Sequence, residues 1–459
     1  MYRMSALWFE SALLPSGWAR NVRLTASDGR IEQVSADTPR QPADEHHAIA
    51  LPGLPNVHSH AFQRGLAGLT ERRGSGADSF WSWRELMYRF LERLGPEELE
   101  AISAWCFAEM LEGGFTHVGE FHYVHHDLDG APFADPGELA ARVAAAAAAS
   151  GIGLTLLPVF YAHGGFGAAP PAARQRRFVS DVDGFARILE SCRRAVRPLR
   201  GASVGVAPHS LRAVTPAELG AIVQLAPNAV VHIHVAEQMR EVEECLAWSG
   251  RRPLEWLLDA QPVDARWCLV HATHASGAEL AAIAAAGAVA GLCPITESSL
   301  GDGIFPAVSF RAHAGRIGIG SDSNIMLDAA AELRTLEYSQ RLAQQARNVL
   351  AAGSDTSTGR TLFEAALAGG RQALQGSAAP GPAGLAAGAP LDLLTLRRDH
   401  PALLEHRADE ILDGWIFAAG RELIDCVWRA GERVVSGGRH RDREALLKRY
   451  ARALHKLRG

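Results

Sequence analysis

Residues 51–65 read LPGLPNVHSHAFQRG, an apolar run that ends in two histidines separated by one serine, His58 and His60. Alternate residues of a strand point to the same side. Two imidazoles at the end of a buried strand can therefore converge on one point. Taken alone the pair is a weak signal, and two surface histidines are the default reading. What decides its meaning is the texture of the chain around it.

From about Leu51 onward, strand-like apolar runs alternate with longer segments of helical pattern. Eight such runs occur in order: ALPGLPNVHSH, FTHVGEFHY, IGLTLLPVFY, ASVGVAPHS, AVVHIHVAE, WCLVHATH, AVAGLCPITE and RIGIGSDSN. Between them lie stretches such as PGELAARVAAAAAAS and ASGAELAAIAAAG, rich in the best helix former and closed by glycine. Strand–helix alternation predicts parallel strands joined by crossovers. Eight units predict an α/β fold, a (β/α)8 barrel of TIM type with insertions. An open doubly wound sheet is the runner-up. It would carry a Gly-rich phosphate loop after its first strand, and VHSHAFQRG is not one.

The two ends have a different texture. Residues 4–50 read as short strands and turns, with Asp28-Gly29 as a hairpin signal between alternating runs. Near Ala378 the stretch SAAPGPAGLAAGAPLDLLTL reads as a linker. Beyond it PLDLLTLRR, GWIFAAG and IDCVWRAGERVVSGG read as strands, and RDREALLKRYARALHKL as a closing helix.

Composition narrows the function classes. Of the 459 residues 47% are hydrophobic and 21% charged, an ordinary globular balance. A net charge of -5 gives no basic footprint for nucleic acid and no polybasic segment for a membrane surface. No apolar run is long enough to span a bilayer, and the first twenty residues lack a secretory signal pattern. The six cysteines are scattered without a CxxC pair, as expected of reduced thiols in a cytoplasmic protein.

In a barrel of this kind the chemistry sits at the carboxyl ends of the strands. The fifth run ends in His234 and Glu237, the sixth in His271 and His274, and the eighth in Asp322. An aspartate closing an apolar strand is costly unless its carboxylate meets a cation or strong donors. Three histidines and one aspartate at strand ends, with a spare histidine and glutamate nearby, are the ingredients of a catalytic metal site that keeps a position open for water.

This pattern resembles the amidohydrolase superfamily in its aminohydrolase (deaminase) branch, with HxH on strand 1, HxxE on strand 5, His on strand 6 and Asp on strand 8. Within that branch the stretches NVHSHAFQRGLAGL, FWSWRELMYR, HVGEFHYVHH, APHSLRAVTP, HIHVAEQ, VHATH, CPITESSLGDG and GSDSN are similar to the deiminases that act on N-formimino-L-glutamate in histidine degradation. The resemblance spans nearly the whole chain. It implies a small β-sandwich built from both chain ends: residues 1–52 as its first part, 53–377 as the barrel, and 378–459 as linker, second part and terminal helix.

By the same resemblance, His58, His60, His234 and Asp322 hold the metal, expected to be Zn²⁺. The fourth run ends GVAPHS and has no lysine of the kind that bridges two metals in other members, so one ion per subunit is expected. Asp322 and His271 are expected to orient a water and accept its proton, with His274 as the alternative to His271. Glu237 passes a proton to the departing nitrogen. His232, two residues deeper than His234, is given a structural role.

A dicarboxylate substrate needs two anion anchors, and Arg84 and Arg212 present planar forks suited to carboxylates. Gln63, Tyr123 and His209 are expected to add hydrogen bonds. The bland alternatives are a solvated helix charge for Arg84 and an ion pair with Glu218 for Arg212. His122, His125 and His126 read as loop packing around the site. Glu297 and Asp302 read as a turn with a capping residue. The aromatic stretch SFWSWRELMYRF reads as a core helix that doubles as a lid.

The resemblance also implies a homodimer. Two other functions stand beside the first. One is a purine-type deaminase acting on guanine or a thioadenosine-like nucleoside. The other is a non-catalytic relative kept for assembly, which the full ligand set argues against.

Overall fold

A computed structural model describes residues 6–73, 79–375 and 383–458. Eight parallel strand positions follow one another in the predicted order: Leu54–Ser59, Phe115–His122, Gly153–Phe160, the short pieces Ser203–Val204 and Ala207–Pro208, Val231–Val235, Trp267–His271, Val289–Leu292 and Arg316–Ile319. They pair in two arcs, one from the first four positions and one from the last four. Parallel bridges join the arcs: Val206 to Val231 and Ser210 to His234 on one side, Ser59 to Asp322 on the other. This is the TIM-barrel type of fold.

The strands form because they are continuously apolar and lie between helices, so both faces are buried. Every residue of Phe115–His122 and of Gly153–Phe160 is buried. The fourth position is the exception. There the apolar run breaks into two two-residue pieces, the second ending at Pro208, which has no amide to donate to a ladder.

Closure between the last strand and the first depends on a missing side chain. A Cβ on Gly320 would lie 2.9 Å from the nitrogen, oxygen and Cβ of His58. Glycine there lets the end of the eighth strand lie directly on the first. Asp322 N–H then donates to His58 O at 2.9 Å, and His60 N–H to Asp322 O at 2.9 Å. At the opposite end of the barrel the helix Thr358–Gln375 reaches below the strands. His232 Nε2 donates to Ala373 O at 2.8 Å, consistent with a structural role for that histidine.

Both chain ends meet in one eight-stranded sheet. Leu7–Leu14 pairs in parallel with Glu45–Pro52, which pairs antiparallel with Leu393–Leu396 from the far end of the sequence. Leu7, Phe9, Leu24, Leu393 and Trp428 belong to a core of the sheet's own. Asp28-Gly29 makes the predicted hairpin, with Ser27 opposite Arg30 and φ of 48° and 73° at the two loop residues.

The run ALPGLPNVHSH is divided. Residues up to Pro52 stay in the terminal sheet, and the barrel strand starts at Leu54. GWIFAAG is not a strand: a short helix Asp409–Asp413 continues into a π-helical turn at Gly414–Ala418. A short apolar run cannot be told from a buried helical turn by periodicity alone. Residues 376–382 of the Pro/Gly-rich stretch lie outside the described residues.

The closing helix, Arg443–Arg458, packs on the barrel helix Pro96–Glu112. Tyr450 stacks on Trp105 with ring centroids 5.7 Å apart, and Lys456 pairs with Glu98 at 2.6 Å. Among the described residues no helix is long and apolar enough to cross a membrane.

Candidate active site

His58 and His60 end the first strand, His234 the fifth, and Asp322 follows the eighth. Their donor atoms meet at one place. His58 Nε2 lies 3.2 Å from His60 Nε2 and 3.0 Å from His234 Nε2. Asp322 Oδ1 lies 3.5 Å from His58 Nε2 and 3.3 Å from His60 Nε2. All four residues are buried.

The tautomers follow from the backbone. His60 Nδ1 contacts Phe121 O at 2.9 Å, and His234 Nδ1 contacts His209 O at 3.1 Å. A carbonyl only accepts, so in both rings Nδ1 carries the proton and Nε2 turns a bare lone pair toward the others. Burial lowers the His58 imidazole to about 3 and keeps it from protonating to relieve the crowding. His60 and His234 thus turn lone pairs, and Asp322 a carboxylate, toward His58 Nε2, a set of acceptors that a cation between them satisfies. Donor separations of 3.0–3.5 Å are those of ligands about 2.0–2.1 Å from a shared centre. The four groups can therefore hold a first-row divalent metal ion. His122, His125 and His126 assemble no such cluster. His125 and His126 point Nε2 at the carbonyls of Val159 and Val179, as loop packing requires.

Beside this cage stands an acid–base group. His271 Nε2 lies 3.8 Å from Glu237 Oε1 and 3.9 Å from Asp322 Oδ2. Its Nδ1 lies 3.1 Å from Glu297 Oε1. Burial alone would lower the His271 imidazole, but the carboxylates of Glu237, Glu297 and Asp322 outweigh it and raise it to about 10. Burial raises Glu237 to about 7, with His271 pulling the other way. Burial would also raise Asp322, yet contacts with His58 and His60 hold it well below the usual carboxylate range.

Three residues of this group adopt left-handed backbone: Ala236 at φ 52°, His271 at 67° and Asp322 at 45°. Such non-glycine positions cost on the order of 1–3 kcal/mol each and persist where surrounding structure imposes them. Glu297 was underrated by its sequence context. Its carboxylate does accept the Cys293 N–H at 2.9 Å, as a cap does, but the same oxygen also holds His271. His274 does not reach the cavity; its neighbours include Gly303.

A cavity of about 570 Å³ runs from the cage toward solvent. Gln63, Arg84, Tyr123, His209 and Arg212 line it together with His60, His234, Glu237, His271 and Asp322. Gln63 donates to Tyr123 OH at 3.0 Å, leaving its own oxygen without a partner. His209 Nδ1 contacts Ser210 Oγ at 3.1 Å.

Neither arginine makes an ion pair among the described residues. Arg84 touches Tyr161 OH at 3.3 Å, and Arg212, 9% exposed, leaves Nε without a partner. Glu218 is not available to Arg212, because it caps its helix at Thr215 and pairs with His163 at 2.9 Å. The helix Phe80–Leu91 covers the cavity with Phe80, Trp83, Arg84, Met87 and Tyr88. Tyr161 and Phe178 complete the wall. Tyr161 ends the third apolar run, so the strand-end rule contained the signal for it. Phe178 lies in a loop and gave none.

A buried cage of metal-binding donors with an acid–base group beside it, at the carboxyl ends of barrel strands, defines a metal-dependent hydrolase. Comparison with known proteins agrees. Residues 49–365 match the model of the Amidohydrolase family, and residues 4–48 match that of the formimidoylglutamate deiminase HutF N-terminal domain. The chain belongs to the amidohydrolase family. It is 50% identical to the formimidoylglutamate deiminase of Pseudomonas aeruginosa over 99% of this chain and 100% of that one. An amidohydrolase structure from Brucella melitensis superposes with a TM-score of 0.96 at 52% identity, covering 99% of this chain and 100% of the other. An adenosine deaminase from Xanthomonas campestris with bound zinc shares the fold, with a TM-score of 0.80 at 23% identity over 99% and 98% of the two chains.

Proposed function

We propose that the chain hydrolyses N-formimino-L-glutamate to N-formyl-L-glutamate and ammonia. The observation that carries this reading is a cavity with a cage of metal-binding donors at one end and, at the other, two arginines that make no ion pair among the described residues. Half identity over the full length to a formimidoylglutamate deiminase supports it. Two guanidiniums against an aromatic wall match a linear dianion.

We assign His58, His60, His234 and Asp322 to one metal ion, zinc, in line with the all-N/O donor set. A bound ion of this kind supplies Lewis acidity and makes water nucleophilic near neutral pH. The protein groups do the rest. Asp322 and His271 orient the attacking water toward the formimino carbon. The carboxylates around His271 favour its protonated form, so Glu237, poised by burial near neutrality, takes the proton expected to go to Asp322 and His271 and delivers it to the substrate nitrogen. The remaining hydroxyl proton follows to the same nitrogen as the C–N bond breaks, so ammonia, not an amide anion, leaves and a C=O bond replaces the original C=N bond.

Arg84 and Arg212 bind the two carboxylates, while Gln63, Tyr123 and His209 hold the remaining polar atoms. Glu297 keeps His271 oriented. The terminal sheet, with parts in residues 1–52 and 378–459, serves as a small sandwich beside the barrel of 53–377.

The aromatic residues Trp83, Tyr88, Tyr161 and Phe178 favour a second reading, a purine-type deaminase, because such faces also stack bases. Ammonia release from N-formimino-L-glutamate, guanine and adenosine in parallel separates the two. Release from the first alone is expected; release from a purine alone overturns the proposal. Metal analysis should find one zinc per chain.

A further inference from the structure

Outside the catalytic cavity lies an open groove lined by Trp81, Arg84, Arg212, Arg240, Glu244 and Trp248, among others. Three guanidiniums surround the indole of Trp81. Arg240 lies 4.3 Å from a Trp81 ring centroid, Arg84 5.7 Å and Arg212 5.9 Å. They come from three separate places: the helix Phe80–Leu91, the loop after the fourth strand, and the first turn of the helix Met239–Ser249. An aromatic face attracts each cation, but the cations repel one another. An anion entering the groove relieves that repulsion.

Arg240 is the outermost of the three, with 59% of its side chain exposed. Among the described residues it pairs with Glu244, 2.7 Å away and one helical turn on. An exposed pair of this spacing is worth about 0.3–0.5 kcal/mol, a weak competitor for an incoming carboxylate. Arg84 and Arg212 line both the groove and the catalytic cavity. A carboxylate leaving Arg240 therefore meets the next guanidinium without leaving the cationic field.

We infer that this groove is an entry subsite for the dicarboxylate substrate, with Arg240 as its first anchor. The inference rests on the dianionic substrate proposed above. Nothing places Arg240 in contact with the reacting atoms, so its removal acts on capture and leaves chemistry alone.

The test is Arg240→Gln, assayed with N-formimino-L-glutamate across ionic strength. At low salt kcat/KM should fall about three- to tenfold with kcat unchanged, the scale expected when one steering charge is lost. The difference should vanish as salt shortens the Debye length from about 10 Å at 0.1 M toward 3 Å at 1 M. Wild-type kcat/KM at low salt, or a fall in kcat alone, overturns the subsite. Wild-type turnover in the same assay tests the substrate assignment separately. The association rate of glutarate, a bare dicarboxylate, followed by stopped-flow tryptophan fluorescence, reads the subsite whichever substrate is turned over. It should fall by a similar factor at low salt in Arg240→Gln, and an unchanged rate overturns the proposal.

Discussion

The two ends of the cavity are built differently. At the metal end the side chains come from strands or the residues just past them, and every one is buried. Backbone carbonyls orient the rings of His60 and His234 there, and the first and eighth strands are pinned by their own amides. At the arginine end the groups come from a helix and a loop, Arg84 is half-buried, and aromatic faces replace ion-paired partners. A cage held by the barrel backbone keeps one chemistry. An arginine pair held by a helix and a loop can be exchanged without disturbing it.

Substitutions on either side test this division, and the largest effect belongs to the cage. Asp322→Ala should lose bound metal and turnover together, by at least about 10⁴-fold, the upper range of a single acid–base contribution. The fold should survive, because the core lies elsewhere. Normal turnover with full metal content would show that the cage is not the reaction centre. Next comes Glu237→Gln, which keeps a hydrogen-bonding group but cannot shuttle a proton. Metal should stay and kcat should fall about 10²–10⁴-fold. A loss under threefold would move proton transfer to another residue.

At the other end Arg212→Met should leave metal unchanged and lower kcat/KM roughly 30-fold to several thousandfold, the cost of a desolvated, unpaired carboxylate. Arg84→Met should fall near the lower bound, since that side chain is less deeply buried than Arg212. Wild-type efficiency in both variants would break the comparison and bring the purine reading forward. The smallest expected effect is Glu297→Gln, whose amide oxygen still accepts from His271. About a tenfold loss in kcat with metal retained is expected, as for other groups that orient a working histidine. An unchanged kcat would return Glu297 to a purely capping role.

How much of this was legible beforehand depended on whether the information was local. Apolar period, helix-stop glycines and the order of polar strand ends are properties of neighbouring residues. They predicted eight parallel strands and placed His58, His60, His234, Glu237, His271 and Asp322 at their ends. The hairpin at Asp28-Gly29 was legible for the same reason, since two residues set the turn.

What only tertiary structure decided concerns partners far apart in the chain. That Glu297 reaches His271, and that His274 misses the cavity, depends on how one strand-end loop lies across its neighbour. That Glu218 caps its own helix and makes no ion pair with Arg212 could not be read from spacing, which allowed either pairing. The helical turn in GWIFAAG was hidden because a buried apolar run looks alike in both states, and only the backbone of the folded chain, π-helical over Gly414–Ala418, settles it. Sequence by itself determined which residues stand at the ends of which strands, because backbone periodicity is a nearest-neighbour property. The closed barrel decided which of those residues meet, because distance across it is set by pairing between strands and not by separation along the chain.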